Sequence, residues 1–290
     1  MDEDSVCALF ARVSPEQELT RYDHCISRPQ PWQNAIDPYG RKTQRNRRTS
    51  QSCQTGPFIT GAGVSAESGV PTFRGATGAF ANGLTEEGIP FEEVLSGPTF
   101  LRDPKLSWKY FFRLELSVRG KLPNAAHRAI TAFQIPGRAV WVATQNIDGL
   151  HHEAGSKNVI ELHGNLRRVV CTQCDYRVYH ETFEGLPELP RCPDCRGILR
   201  PDAVLYEEML PEGTLDRLEQ EQNAGFDLVF SVGTTSIFCY VTSPIVMAAR
   251  HRIPTVEINP EETPVSDLVR YRLALPAAKA LGKIQRMVSR

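Results

Sequence analysis

No stretch of this chain is a run of apolar residues near the roughly 20 needed to cross a bilayer, so no membrane-spanning helix is expected. An excess of charge of either sign is missing as well: 33 Lys and Arg against 34 Asp and Glu leave a net charge of -1. Such a molecule has no overall field for collecting nucleic acid, and any polyanion contact would have to be local. No secretory signal opens the chain, and the acidic Asp2, Glu3 and Asp4 argue against a mitochondrial transit peptide. Internal repeats and long low-complexity tracts are absent. What remains is the balance of a soluble globular protein, 41% hydrophobic and 23% charged over 290 residues, enough for one large domain or one domain with a smaller insertion.

Residues 1–55 differ in texture from the rest. Apolar periodicity is weak there, and polar residues, prolines and the basic run Arg41 to Arg48 dominate its second half. This segment reads as a disordered, solvated tail; the basic run is otherwise a candidate nuclear-targeting or nucleic-acid-contacting patch.

From Pro57 onward, short apolar runs separated by helix-like stretches set the pattern. Phe58-Ile59, Ala139 to Ala143, Val159 to Leu162, Ala203 to Tyr206, Phe226 to Val232 and Thr255 to Ile258 read as buried parallel strands. Asn124 to Phe133 and Ile237 to Arg250 read as helices. The alternation predicts an α/β fold, a doubly wound parallel Rossmann-like sheet, whose ligands bind where loops gather at the carboxyl ends of the strands. Two stretches interrupt it: residues 75–122, with helix-like segments, and 167–197, with four paired cysteines. Both read as insertions that build a smaller lobe, leaving 56–74, 123–166 and 198–290 for the main one.

Of eight cysteines, four form Cys171-x-x-Cys174 and Cys192-x-x-Cys195, with 17 residues between the pairs. This is the spacing of a zinc ribbon, in which two knuckles bring four thiolates into a tetrahedron. Disulfides or a redox pair are the alternatives. A four-thiolate site has no open position for water, so one zinc ion would hold the lobe together and take no part in chemistry. Thiolates kept for metal also point to a reducing compartment, cytoplasmic or nuclear.

After the first short strand comes Thr60-Gly61-Ala62-Gly63-Val64-Ser65-Ala66. Gly61-x-Gly63-x-x-Ala66 fits the dinucleotide-binding pattern, in which glycines let the backbone approach a pyrophosphate and a following helix start offers N–H groups to the anion. A simple strand-to-helix turn would look the same. The acidic strand end that a hydride-transferring enzyme needs about 20 residues later is missing; the chain runs Val70-Pro71-Thr72-Phe73-Arg74-Gly75 instead.

Taken together, the motifs resemble the sirtuins. Gly61 to Arg74 is similar to the family's first signature almost residue for residue, Thr144-Gln145-Asn146-Ile147-Asp148-Gly149-Leu150-His151 to the second, and Glu161-Leu162-His163-Gly164-Asn165 to the third. The cysteine pairs, Val232-Gly233-Thr234-Thr235-Ser236 and Ile258-Asn259 follow in the family's order, and the likeness covers about residues 56–285. The resemblance implies NAD-dependent removal of acyl groups from protein lysines. The substrate's acyl oxygen attacks the cofactor ribose as nicotinamide leaves, and a base then helps a ribose hydroxyl attack the product. It implies that His163 is that base, a role imidazole fills near neutral pH. Asn146 and Asp148 would contact the ribose and the nicotinamide carboxamide, and Gln145 the ribose. Ile147 belongs to the same loop, and Asp148 could instead cap the next helix.

By the same resemblance, Gly61, Ala62, Gly63, Ser65, Phe73, Arg74, Gly233, Thr234, Ser236 and Asn259 would line the NAD site. An acylated lysine would lie between the lobes and pair as a strand with Val204, Leu205 and Tyr206. Many members have Phe-Gly-Glu where this chain has Tyr206-Glu207-Glu208. Tyr110-x-x-Arg113, on one helix face, matches the pair with which some members bind acidic acyl groups such as succinyl; aligning on Trp108 puts Phe111 and Leu114 there instead. The first strand, with Pro57 and polar residues 52–56 before it, is expected to be poorly anchored. An ADP-ribosyltransferase or NAD hydrolase using the same site, and a non-enzymatic NAD sensor, are the competing functions.

Overall fold

The computed structural model describes residues 56–72, 84–134, 140–211 and 213–288. The expected tail, its basic run Arg41 to Arg48, and Phe73 and Arg74 lie outside the described residues.

The main lobe is a six-stranded sheet whose neighbouring strands all pair in parallel. Its strands are β1 (Phe58–Thr60), β2 (Val142–Thr144), β3 (Val159–Glu161), β7 (Val229–Val232), β8 (Thr255–Ile258) and β9 (Tyr271–Leu273), in the order β3-β2-β1-β7-β8-β9. The order reverses at β1, which starts the winding in both directions. Period-2 alternation of side chains feeds two cores. Phe58, Val142, Phe230 and Ile258 pack on one face with α4 (Ala125–Phe133) and α8 (Ala277–Val288). Ile59, Ala143, Ile160 and Val229 pack on the other with α7 (Cys239–Arg250). A helix on each face is what a parallel sheet requires.

The smaller lobe joins a helical part to a three-stranded antiparallel sheet. The helices are α1 (Phe91–Val94), α2 (Gly97–Arg102) and α3 (Pro104–Val118); the strands are β4 (Gly164–Cys171), β5 (Arg177–Tyr179) and β6 (Leu199–Ala203), in the order β5-β4-β6. Local sequence explains the helix starts. Ser96 and Asp103 accept the Thr99 and Leu106 N–H groups, with Pro98 and Pro104 in the first turns. One apolar core unites the two parts: Trp108, Phe111, Leu166, Phe183 and Leu199 are all buried in it. The Trp108 indole donates to the Leu199 carbonyl at 2.8 Å. The two remaining helices are α5 (Leu150–Glu153) and α6 (Thr214–Asn223).

Several expectations need correction. Residues 203–206 are not a strand of the parallel sheet. Ala203 ends β6, and the main chain of Tyr206 forms a lone bridge to Ser96. The strands on either side of the cysteines reach past 167–197: β4 starts at Gly164, directly after His163, and β6 runs to Ala203. The first strand is short, yet it is not poorly anchored. β1 is buried throughout and pairs on both sides, with β2 and β7. Phe58 stacks on Phe230 at 4.4 Å between centroids and lies parallel to Phe133 at 6.0 Å. The partners of β1 sit far away in sequence, so its few apolar residues understated its support. Phe58→Ala is expected to cost about 3–5 kcal/mol, the range for emptying a packed aromatic site, read as a lower midpoint in urea unfolding.

Candidate functional site

Among the described residues, the loops that follow β1, β2, β3, β7 and β8 border a cavity of about 920 Å³ between the lobes, within the size range of small-molecule and cofactor sites. Gly61, Ala62, Gly63, Gln145, Asn146, Ile147, His163, Gly233, Thr234 and Asn259 all line it. So do Val204, Leu205 and Tyr206. The parallel sheet brings the first group together because its members follow the carboxyl ends of its strands, and Val204 to Tyr206 reach the cavity from the end of β6 in the antiparallel sheet.

The glycine loop differs from expectation in its form. Two 3-10 turns, Ala62–Val64 and Ala66–Ser68, follow β1 where a helix start was expected. The N–H groups of Gly61 and Gly63 are already given to the carbonyls of Val232 and Gly233. A Cβ on Gly63 would sit 2.7 Å from the Gly233 Cα, and one on Gly233 2.5 Å from the Gly63 carbonyl carbon. The glycines therefore let two loops touch as well as leaving bare backbone on the cavity wall. Thr234 ties further loops in: its hydroxyl accepts from the Gln145 amide at 2.6 Å, and its carbonyl accepts from the Asn259 amide at 2.9 Å.

Three residues expected to contact the cofactor lie behind the wall. Ser65 donates to the Asp148 carboxylate at 2.7 Å and accepts from the Asn146 amide at 3.1 Å. The other Asp148 oxygen accepts the Leu150 N–H two residues on at 2.9 Å, an Asx-type turn leading into α5. Asp148 is 4% exposed, and burial raises its carboxyl pKa. Ser236 is 1% exposed and faces Ser231 at 3.4 Å. These groups hold the loops from below; Asn146, which they orient, reaches the cavity. Beneath them two histidines are buried together with ring centroids 4.9 Å apart: His127, outside the motifs, and His151, which ends the second motif without an assigned role. Burial lowers both, His127 to about 4, so both rings are neutral and serve as hydrogen-bonding core groups, His151 to Thr60 at 3.0 Å.

His163 sits one turn beyond β3, its carbonyl accepting the Val204 N–H at 2.9 Å. Burial lowers its pKa, countered by a ring hydrogen bond to the Gln145 main chain. The imidazole is thus neutral near pH 7 and able to accept a proton. Its Nε2 lies 2.6 Å from the Tyr240 hydroxyl.

The acidic-acyl reading of Tyr110 and Arg113 is not supported. The two do share a helix face, but neither lines the cavity. The Tyr110 hydroxyl donates to Glu87, and Arg113 pairs with Glu86 at 2.5 Å while lying over the Tyr110 ring. Phe111 and Leu114, the alternative pair on the same helix, line the cavity with Leu95, Leu205 and Phe238. The register of α3 is set by the buried Trp108, which local spacing alone does not fix. Along the substrate segment, the Tyr206 N–H and carbonyl already bond Leu95 and Gly97, and the Leu205 N–H bonds Glu208. Glu207 holds φ +66°, a left-handed conformation that favours glycine.

The four paired cysteines converge as expected. Their sulfurs lie within 4.8 Å of one another, Cys171 to Cys195 at 3.4 Å and Cys174 to Cys192 at 3.6 Å. A disulfide would need about 2.0 Å, and the edge of a tetrahedron with zinc–sulfur arms of about 2.3 Å is about 3.8 Å. The residues present fit one zinc ion in a closed site.

A doubly wound sheet, a cavity over its strand ends and a four-thiolate lobe define a nucleotide-binding α/β enzyme with a structural metal module. The chain belongs to the Sir2 family, whose model matches residues 61–239. It is 44% identical over 236 residues to NAD-dependent protein deacylase 2 of Pseudomonas aeruginosa, covering 80% of this chain and 90% of that one. It is 38% identical to NAD-dependent protein deacylase 1 of Archaeoglobus fulgidus, over 79% of this chain and 91% of that one. Among solved structures, a Sir2 homologue in complex with NAD superposes with a TM-score of 0.73 at 35% identity, over 82% of this chain and 90% of that one. A Sir2–p53 peptide–NAD complex superposes at 0.69 with 26% identity, over 82% of this chain and 95% of that one.

Metal analysis should find one zinc per chain. Cys192→Ser should lose it and lower the thermal midpoint, whereas zinc retained in that variant would exclude the four-thiolate site.

Proposed function

We propose that this chain removes acyl groups from protein lysines with consumption of NAD, giving nicotinamide, O-acyl-ADP-ribose and free lysine. The observation that carries the reading is the meeting of His163 with Gly61, Gly63, Gln145 and Asn146 around a single cavity. Bound there, NAD supplies an electrophilic ribose carbon, a leaving group and the hydroxyls that receive the acyl group. The protein supplies position and a proton acceptor. Asn146, its amide held by Ser65, and Gln145, held by Thr234, present fixed polar groups to the ribose end. Gly233, Thr234 and Asn259 serve the adenosine end. His163 accepts the ribose hydroxyl proton at Nε2, because its other nitrogen is turned to the Gln145 main chain.

The part of the cavity bordered by Leu95, Phe111, Leu114, Leu205 and Phe238 is apolar, which excludes water from the acyl end and suits uncharged acyl groups. The acylated segment lies along Val204 to Tyr206, where the Val204 carbonyl and the second lone pairs of the Leu205 and Tyr206 carbonyls, which already accept the Glu208 and Gly97 N–H groups, are the acceptors for a strand-like peptide. Thiolates kept for zinc fit a reducing compartment, cytoplasmic or nuclear.

His163→Ala is expected to lower deacylation about 10²- to 10⁴-fold, the usual worth of a general base, while ADP-ribose still binds. Mass spectrometry of the wild-type products should show acyl-ADP-ribose; ADP-ribose attached to protein, or free ADP-ribose alone, would move the assignment to a transferase or hydrolase. In a separate comparison, Arg113→Ala should leave the ratio of succinyl- to acetyl-lysine turnover unchanged. Selective loss of succinyl turnover would restore the acidic-pocket assignment.

A further inference from the structure

The base proposed above already has a partner that the chemistry does not use. The Tyr240 hydroxyl lies 2.6 Å from His163 Nε2. Phe238 and Tyr240 stack with centroids 5.4 Å apart and planes 10° apart, and each meets the imidazole edge to face, at 6.2 and 5.9 Å. All three rings border the cavity.

The direction of the hydrogen bond follows from the groups. Burial pushes the Tyr240 phenol up to about 12, so it keeps its proton. The imidazole's hydrogen bond to the Gln145 main chain favours the protonated ring, so the main-chain carbonyl accepts and the ring nitrogen facing it donates. With Nε2 on Tyr240, that nitrogen is Nδ1. Nε2 then holds the lone pair, and Tyr240 donates to it. Burial and the Gln145 main chain account for the shift of the imidazole, with no charged side chain contributing.

A neutral imidazole nitrogen has one lone pair and cannot accept from a phenol and a ribose hydroxyl together. We propose that Tyr240 caps His163 in the cofactor-free enzyme: its hydroxyl fills the place at Nε2 that a cofactor ribose hydroxyl takes, and cofactor binding displaces it. This rests on His163 being the base. One O–H···N hydrogen bond is exchanged for another, and no covalent bond changes in the exchange. Tyr240 is a positioning residue, holding the ring and its tautomer until the ribose arrives.

The backbone around Tyr240 is built to yield. Tyr240 is the second residue of α7, and Pro244, four residues on, lacks the N–H that would bond the Tyr240 carbonyl. The turn before the helix has two left-handed residues, Gly233 at φ +58° and Ser236 at φ +52°. Ile237 is 55% exposed, so solvent bounds this turn on one side.

Tyr240→Phe keeps the ring and removes the hydroxyl. ADP-ribose should then bind about 2- to 10-fold more tightly by calorimetry, the worth of one neutral hydrogen bond, and the KM for NAD should fall in proportion, by more than any change in kcat. In the cofactor-free variant, the His163 ring pKa measured by NMR should rise by about half a pH unit to one unit, because a donor to Nε2 that favoured the neutral ring is gone. Unchanged or weaker ADP-ribose binding would overturn the cap, as would a kcat reduced by about ten-fold or more, the mark of a hydroxyl that works in the transition state. The wild-type chain gives a second reading if the variant does not fold: saturating ADP-ribose should shift the Tyr240 ring signals, and signals that stay in place refute displacement. Failure of the base assignment looks different. A chain that binds ADP-ribose but deacylates no lysine refutes that assignment, whereas an active chain whose ADP-ribose affinity ignores Tyr240→Phe refutes only the cap.

Discussion

The closest approach in the site is between two loops that carry no side chain where they touch. Gly63 and Gly233 meet so closely that a Cβ on either would fall within 2.7 Å of the other's backbone, and one on Gly61 would lie 2.9 Å from Thr234. This contact brings the ends of β1 and β7 to one level, and the Gln145 and Asn259 amides, both bonded to Thr234, bring the loops after β2 and β8 to the same place. The floor of the cavity is the product. A side chain at any of these glycines would part the loops before it reached a ligand.

Beneath this floor the polar groups are spent on one another. Ser65, Asn146 and Asp148 form a buried set with the N-terminus of α5, and Thr60, His127 and His151 extend it below. Buried polar groups carry a cost unless they are paired, and pairing here fixes the loop after β2 in one shape. The Asn146 amide is consequently oriented before any ligand arrives, the condition under which polar groups act without reorganising. The smaller lobe gains order in another way. Trp108 and its aromatic neighbours bind α3 to β6, and the four thiolates hold the turns at the far end of the antiparallel sheet.

The motifs made most of the cavity wall readable. Gly61, Gln145, Asn146, His163, Thr234 and Asn259 could be placed on one face because each follows an apolar run, and the ends of parallel strands share a side. The same logic failed for Ala203 to Tyr206, an apolar run that ends an antiparallel strand, since hydrophobicity does not record a strand's partner. It also could not tell Tyr110 and Arg113 from Phe111 and Leu114. Both pairs are spaced for a helix face, and only the seating of Trp108 decides which face looks inward. Tyr240 carried no signal at all: it belongs to a helix, 77 residues from the histidine that it touches.

The sequence by itself determined the class of fold and the four cysteines that gather into one metal-fitting cluster, because strand–loop–helix alternation and short-range spacing are local properties written in consecutive residues. Only the tertiary structure decided which wall residues face the cavity and which lie beneath it, how a three-residue strand is held at the centre of a sheet, and which side chain His163 meets at Nε2. These depend on contacts between residues far apart in the chain, whose energies are set by packing and burial, and no window along the sequence contains both partners.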